Sequence, residues 1–211
     1  MSPGPTDDDG EGEMEGPPLR VLLRPLSGAD DVDDAALDLG WRLDRHWDAS
    51  DERPYEDLYV DEQHDDAALT TTISYVDDTY IGARYLVVRG PRAREVADDA
   101  RALLPTVGFD EAVAVLDAAA DATARAAAVP PVALAAVEGE GARATAALRE
   151  AARRGDDAVR RAIVRAATYT GWPELRTLLV ELQEGAEDSD VRRLAAAALE
   201  GLRLQDAQEG R

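Results

Sequence analysis

Apolar and polar residues alternate along the N-terminal half of the chain with the two-residue period of half-buried strands. The clearest case is Ile73 and Tyr75, which alternate with Thr72 and Ser74. Asp77-Asp78 follows and predicts a two-residue turn between strands. The pattern predicts strands over residues 19–23, 56–60, 69–75 and 79–88.

The same half contains two segments with helical periodicity. Four aspartates between residues 30 and 34 favour a helix start, because the helix dipole stabilises negative charge there. An apolar face then recurs every three or four residues from Ala36 to Trp47. Gly90-Pro91 predicts the start of a second helix. The order β-α-β-β-β-α predicts an α+β domain over residues 19–105.

After Gly108 the strand pattern ends, and we expect short helices over residues 110–120, 121–128 and 131–137. Further along, the sequence repeats itself at an offset of 32 residues, since Val159-Arg160-Arg161 corresponds to Val191-Arg192-Arg193. Each copy follows an acidic turn, with Asp156 in the first and Asp188 in the second. Each then continues into an alanine-rich helix. This internal repeat is the strongest pattern in the chain.

Over residues 142–202 the pattern resembles the compact, lyase-type HEAT repeat. Trp172-Pro173-Glu174-Leu175 supplies the proline that opens the first helix of such a unit. The resemblance implies stacked helical hairpins. It also implies buried valines and a ladder of charged residues between units, formed by Asp156, Arg160, Asp188 and Arg192. Because a stable stack needs about three units, we expect residues 110–138 to form a degenerate capping hairpin.

The predicted fold is therefore an N-terminal α+β unit followed by an all-α, HEAT-like helical repeat region over residues 106–211. Residues 1–18 are acidic and rich in glycine and proline, so we predict a disordered acidic tail there.

Charge divides the chain in a similar way. Of the net charge of −21, residues 1–18 carry −6 and residues 19–104 carry −10, whereas residues 139–211 carry only −1. Phosphate binding needs a basic surface, so nucleic acid is not an expected partner. The chain has no cysteine, no signal-peptide pattern and no apolar stretch long enough for a membrane span. These features predict a monomeric cytoplasmic protein.

Candidate binding residues lie on the repeat helices. The resemblance places Arg161, Arg165 and Arg193 on the concave face, where they would contact a protein partner. Trp172, at the entry to a hairpin, is a fourth candidate, because arginine and tryptophan are frequent in binding hot spots. The alternatives are a solvated face for the arginines and packing against the neighbouring hairpin for Trp172.

The sequence contains no recognisable catalytic, metal or cofactor motif. Its two histidines, His46 and His64, lie near aspartates but lack the His-x-x-x-His or Glu-x-x-His spacing of a metal site. Residues 139–142 lack the lysine of a phosphate loop, and no serine lies in Gly-x-Ser-x-Gly. We therefore predict no catalytic residue, no metal and no cofactor.

These observations favour a non-enzymatic scaffold or adaptor that binds a protein through its helical repeats. Two alternatives stay open. One is an immunity or inhibitor protein whose acidic N-terminal half masks a basic toxin or nuclease, which a contiguous acidic surface on residues 30–78 would favour. The other is a lyase-like accessory subunit, which a buried polar pocket with perturbed carboxylates would favour.

Overall fold

A computed structural model describes residues 18–51, 53–61, 70–170 and 172–209. The predicted tail falls almost entirely outside these residues. The first elements are, in chain order, β1 (Leu19–Leu22), α1 (Ala29–Leu39), β2 (Trp41–Trp47), β3 (Tyr55–Asp61), β4 (Thr71–Asp78), β5 (Ala83–Arg89) and α2 (Ala93–Leu103).

The five strands form one antiparallel sheet in the order β1-β5-β4-β3-β2. Alternation along β4 and β5 divides their side chains between the two faces of the sheet. Ile73 and Leu86 point towards α1 and α2, and they pack there with Val32 and Val96. The opposite face, which includes Val87, packs against the C-terminal helices. The sheet therefore lies between two layers of helices.

β2 is a strand that the sequence pattern did not predict. The helix α1 ends at Gly40, whose φ of +72° is the left-handed conformation common at helix ends. The predicted helical face extended to Trp47 and was wrong beyond Leu39. β2 lies at the edge of the sheet with its central residues exposed, so it lacks the alternation that marks a strand. Only its pairing with β3 defines it.

The turn between β4 and β5 also differs from the prediction of an Asp77-Asp78 turn. The ladder continues through Asp78, and the turn comprises residues 79–82. The Asp78 carboxylate accepts hydrogen bonds from the backbone amides of Tyr80 (2.9 Å) and Ile81 (3.2 Å). Asp78 is thus the last residue of β4, and its side chain stabilises the turn that follows.

After α2, the described part of the chain continues with six helices, which form three consecutive hairpins. Within each pair the two helices contact each other, and the pairs are α3 (Phe109–Ala118) with α4 (Ala122–Ala135), α5 (Gly141–Arg154) with α6 (Asp157–Thr170), and α7 (Pro173–Gly185) with α8 (Ser189–Glu209). The first helices α3, α5 and α7 contact one another in order, and so do the second helices α4, α6 and α8. The predicted fold class, an α+β unit followed by an all-α region, is confirmed.

Residues 121–137 were predicted as two helices separated at Pro130-Pro131, but α4 runs through both prolines. Proline removes a backbone hydrogen bond and clashes with the preceding turn. Here the surrounding residues Val129, Val132 and Leu134 are fully or almost fully buried, and this burial offsets the cost.

The sheet and the hairpins share one apolar core. The helix α4 packs against β1 and β5. Leu22 and Val87 from the sheet lie in the same buried cluster as Val132, Leu148 and Ile163 from the helices. The sheet thus covers α4, whereas parts of α6 and α8 stay open to solvent.

Candidate functional site

The aspartates of the sequence repeat cap the second helices of two hairpins. Oδ1 of Asp156 lies 3.2 Å from the amide nitrogen of Val159, and Oδ1 of Asp188 lies 3.2 Å from that of Val191. A side-chain oxygen in this position satisfies a free amide at the helix start. Val159 and Val191 are each the third residue of their helix, and both are fully buried.

A charged contact between neighbouring second helices involves the residue after the predicted ladder arginine. Arg160 pairs with an aspartate of its own helix, and Arg192 donates a 2.6 Å hydrogen bond to the carbonyl of Ala186 at the end of α7. Arg161 instead bridges two hairpins, with its Nη1 3.1 Å from Oδ2 of Asp188. This ion pair joins α6 to the cap of α8.

The first hairpin carries the same capping arrangement, which the sequence repeat did not reveal. The Asp121 carboxylate accepts a 2.8 Å hydrogen bond from the Ala124 amide at the start of α4. Arg125, four residues later, donates to the carbonyl of Ala119 (3.0 Å), just as Arg192 does to the end of α7. The repeat is hard to recognise here in the sequence. Ala124 stands where the other copies have valine, and Asp121 precedes Asp156 by 35 residues instead of 32.

An open groove lies between α6, α8 and the β4–β5 turn, and we call it the α6–α8 groove. Its volume is about 550 Å³, and none of the lining side chains that the structure describes is acidic. The contributing side chains are Tyr80 from the turn, Val164, Arg165, Thr168 and Tyr169 from α6, and Leu194, Ala197, Ala198, Gly201 and Leu202 from α8.

Tyr80 and Arg165 form one edge of the groove. The Tyr80 side chain is two-thirds exposed at 66%. The guanidinium carbon of Arg165 lies 4.8 Å from the centre of the Tyr80 ring, a distance typical of a cation–π contact. Within the described residues Arg165 forms no ion pair. Its guanidinium is therefore positioned by an aromatic ring and not by a carboxylate.

Tyr169 fixes the end of α6 to the sheet. Its backbone carbonyl accepts a hydrogen bond from the guanidinium of Arg20 on β1. Burial raises the pKa of Tyr169 well above its usual value, and the neighbouring Asp78 carboxylate adds to this rise. Tyr169 is thus neutral at physiological pH, and the groove wall that it forms is held in place.

Of the four predicted binding residues, only Arg165 lines the α6–α8 groove. Arg161 is paired with Asp188, while Arg193 is exposed and pairs within α8. Trp172 packs partly buried against the helical core, and its indole Nε1 has no hydrogen-bond partner in the described residues. Tyr80 and Tyr169 were missed, because no local pattern indicates that a hairpin turn meets a distant helix.

His46 lies on β2 and contacts two carboxylates. Its Nδ1 is 2.6 Å from Asp57 and its Nε2 is 3.2 Å from Asp48. The hydrogen bond to Asp57, followed by that to Asp48, raises the pKa of His46. Tyr55 donates to the second oxygen of the buried Asp57 (2.7 Å), so this cluster ties the edge strand to β3.

Among the described residues no group of three or more His, Asp or Glu side chains could hold a metal ion. His64 lies outside the described residues. No helix in the described part of the chain combines the length and the apolar character needed to cross a lipid bilayer. Comparisons with protein-family models, with curated protein sequences and with solved structures found no match.

Proposed function

We propose that the chain is a non-enzymatic scaffold that binds a protein partner in the α6–α8 groove. The observation that supports this proposal is an open groove with an apolar lining from α6 and α8, in which Ala197 is exposed and Leu194 half-buried, beside Tyr80, Tyr169 and Arg165. Aromatic and arginine side chains around an apolar centre are typical of binding hot spots. The anchoring of Tyr169 to the sheet favours a preformed site, which reduces the entropy cost of binding.

The capped hairpins support the HEAT-like interpretation of the helical region. An aspartate followed four residues later by an arginine starts α4, α6 and α8 alike. In such a stack the second helices form one continuous surface. The sheet occupies that surface at α4, so the part left for a partner is the part built by α6 and α8.

Site-specific photocrosslinking tests this proposal. Ala197 is exposed in the groove and would carry p-benzoylphenylalanine, and Thr177 on the exposed side of α7 would carry the same group as a control. We expect the groove probe to capture a protein that the control does not capture. That protein, once purified, should bind the unmodified chain saturably. Identical products from the two probes, or none from Ala197, would contradict the proposal.

The acidic face of α1 supports a second candidate, the inhibitor of a basic toxin or nuclease. Asp30, Asp34 and Asp38 are exposed at successive turns of α1. Such a stripe complements a basic protein surface and accelerates association at low salt. Replacing all three by Asn should slow association with a basic partner and flatten its salt dependence, without changing crosslinking at Ala197. An unchanged salt dependence would count against this candidate.

A further inference from the structure

We infer that the occupant of the α6–α8 groove is an amphipathic helix that presents an acidic side chain to Arg165. The inference rests on the proposed function and adds the class of partner segment. It follows from three properties of the groove: walls that are mostly helical, the spacing of its small residues, and Arg165 as the one cation among its described lining residues.

The walls of the groove favour a helical over an extended partner. Two walls are helices, and their backbone groups are bonded internally except for the last carbonyls of α6, which ends at Thr170. On the third side, the amides of Tyr80 and Ile81 already donate to Asp78. An extended segment would leave its own amides and carbonyls without partners against apolar side chains, at a substantial free-energy cost. A helix satisfies these groups itself.

The spacing along α8 fits two turns of a partner helix. Leu194, Ala197 and Gly201 line the groove at offsets of three and seven residues, a length of roughly 10 Å along the helix axis. Ala197 and Gly201 are small, so a partner helix can lie close to α8. The larger side chains of Leu194 and Tyr80 border this space. The partner would fill the groove with apolar residues at positions i, i+3 or i+4, and i+7.

Arg165 determines the charge of the partner. Arg161 and Arg193 are paired with aspartates, whereas Arg165 lies over the Tyr80 ring without a carboxylate in the described residues. A guanidinium that lies over an aromatic ring still has N–H groups to donate, and a carboxylate can accept two hydrogen bonds from them. A lysine or arginine at that position of the partner would be repelled by Arg165, because the described lining residues include no acid to receive it.

A second copy of the chain is a less favourable occupant. Each copy carries a net charge of −21, so association of two copies brings like charges together. We therefore assign the groove to a segment of a different protein.

Selection from a phage-displayed library of random 16-residue peptides tests the inference. The full chain is the target and its Gly201→Trp variant is used for counter-selection. An added Cβ at Gly201 meets no heavy atom within 4 Å, so the substitution begins without a clash, and Gly201 lines the groove that the indole is meant to occupy. We expect enriched peptides with apolar residues at helical spacing and an Asp or Glu at one fixed offset. These peptides should bind Gly201→Trp at least about tenfold more weakly, the loss of one hot-spot contact.

The charge-swapped variant Arg165→Glu provides an independent readout. Peptides selected against this variant should keep the apolar spacing and replace the acid by Lys or Arg at the same offset. Groove-dependent peptides that lack helical spacing, or whose acid is indifferent to Arg165→Glu, would overturn the inference and leave the proposed function intact.

Two further results would also overturn the inference. One is the absence of any peptide that distinguishes the parent chain from Gly201→Trp. The other is a dimer of the parent chain, seen in sedimentation, that Gly201→Trp dissociates, because the groove would then be filled by a second copy. Crosslinking at Ala197 decides separately whether the proposed function stands.

Discussion

The sheet and the helical hairpins differ in how deeply they bury their hydrogen-bonded carboxylates. In the hairpins, Asp121 and Asp156 lie at helix starts and cap free amides, and Arg149 pairs with Glu181 between α5 and α7 at 2.9 Å on the outer surface. In the sheet, Asp57 and Asp78 are buried and each accepts hydrogen bonds from its neighbours. Some of the acidic residues in the N-terminal half are therefore structural. A simple count of acidic residues overstates the negative charge on the surface of that half.

The largest expected effect tests whether the two regions are one cooperative unit. Leu148 on α5 is fully buried in the core that also contains Leu22 and Val87 of the sheet. Leu148→Ala should lower the free energy of unfolding by about 2–5 kcal/mol, through lost apolar burial and the cavity that remains. Urea unfolding followed by far-UV circular dichroism should show this destabilisation.

The same variant should destabilise the sheet. In a Trp172→Phe background, tryptophan fluorescence reports only Trp41 and Trp47 of β2. This signal should move to lower urea together with the circular dichroism. A fluorescence transition that keeps its midpoint while the helical signal shifts would show that the two regions unfold separately.

A smaller effect tests whether the three hairpins are equivalent. Asp121→Ala and Asp156→Ala each remove a helix cap and should each lower the free energy of unfolding by about 1 kcal/mol. Asp188→Ala should shift the midpoint somewhat further, since Arg161 also loses its partner. Asp38→Ala, on the exposed side of α1, is the control and should have little effect. If Asp121→Ala behaves like the control, the first hairpin is not equivalent to the others.

The smallest effect concerns the pH dependence of stability. The contribution of Asp188 in the hairpins and that of His46 in the sheet change in opposite directions with pH. Backbone hydrogen bonds from Val191 and Asp190 lower the pKa of Asp188. Its contribution to stability is therefore present above its usual pKa and is lost as pH falls through the lowered value. The pKa of His46 is raised, chiefly by Asp57, so its contribution is complete below its usual value of 6.5 and is lost as pH rises through the raised value.

Nuclear magnetic resonance titration of the imidazole checks the sheet side of this comparison. The pKa of His46 should lie above 6.5 in the parent chain and fall towards 6.5 in Asp57→Asn. Asp48→Asn should lower it less, because that hydrogen bond is the second contribution. Equal pKa values in the parent and Asp57→Asn would remove the link between His46 and β3.

The same difference between the regions explains what the sequence could predict. The hairpins were found from local signals: Asp156 and Asp188 begin their helices, and the valines follow at a fixed offset. β2 was missed because an exposed edge strand is defined by its pairing with β3 and not by alternation. The helix α4 was divided at Pro130-Pro131 because burial of its neighbours is not visible in sequence.

The site shows the same limit. Arg165 was predicted from its place on the repeat, whereas Tyr80 reaches the groove only because the β4–β5 turn meets α6. The ladder was predicted at Arg160, but the ion pair between hairpins is formed by Arg161, the next residue. Neighbouring residues point to different sides of α6, and a sequence repeat alone does not determine which side faces the next hairpin. Contacts between distant segments depend on how the sheet packs on the hairpins.

The most direct test of the central claim is the affinity of the crosslinked partner for two tryptophan variants of the full chain. Ala197→Trp fills the α6–α8 groove, and Val180→Trp places the same side chain on the exposed part of α7. Isothermal titration calorimetry should show at least about tenfold weaker binding for Ala197→Trp and an affinity within about twofold of the parent for Val180→Trp. Equal affinities of the parent and Ala197→Trp would contradict the assignment of the groove as the binding surface.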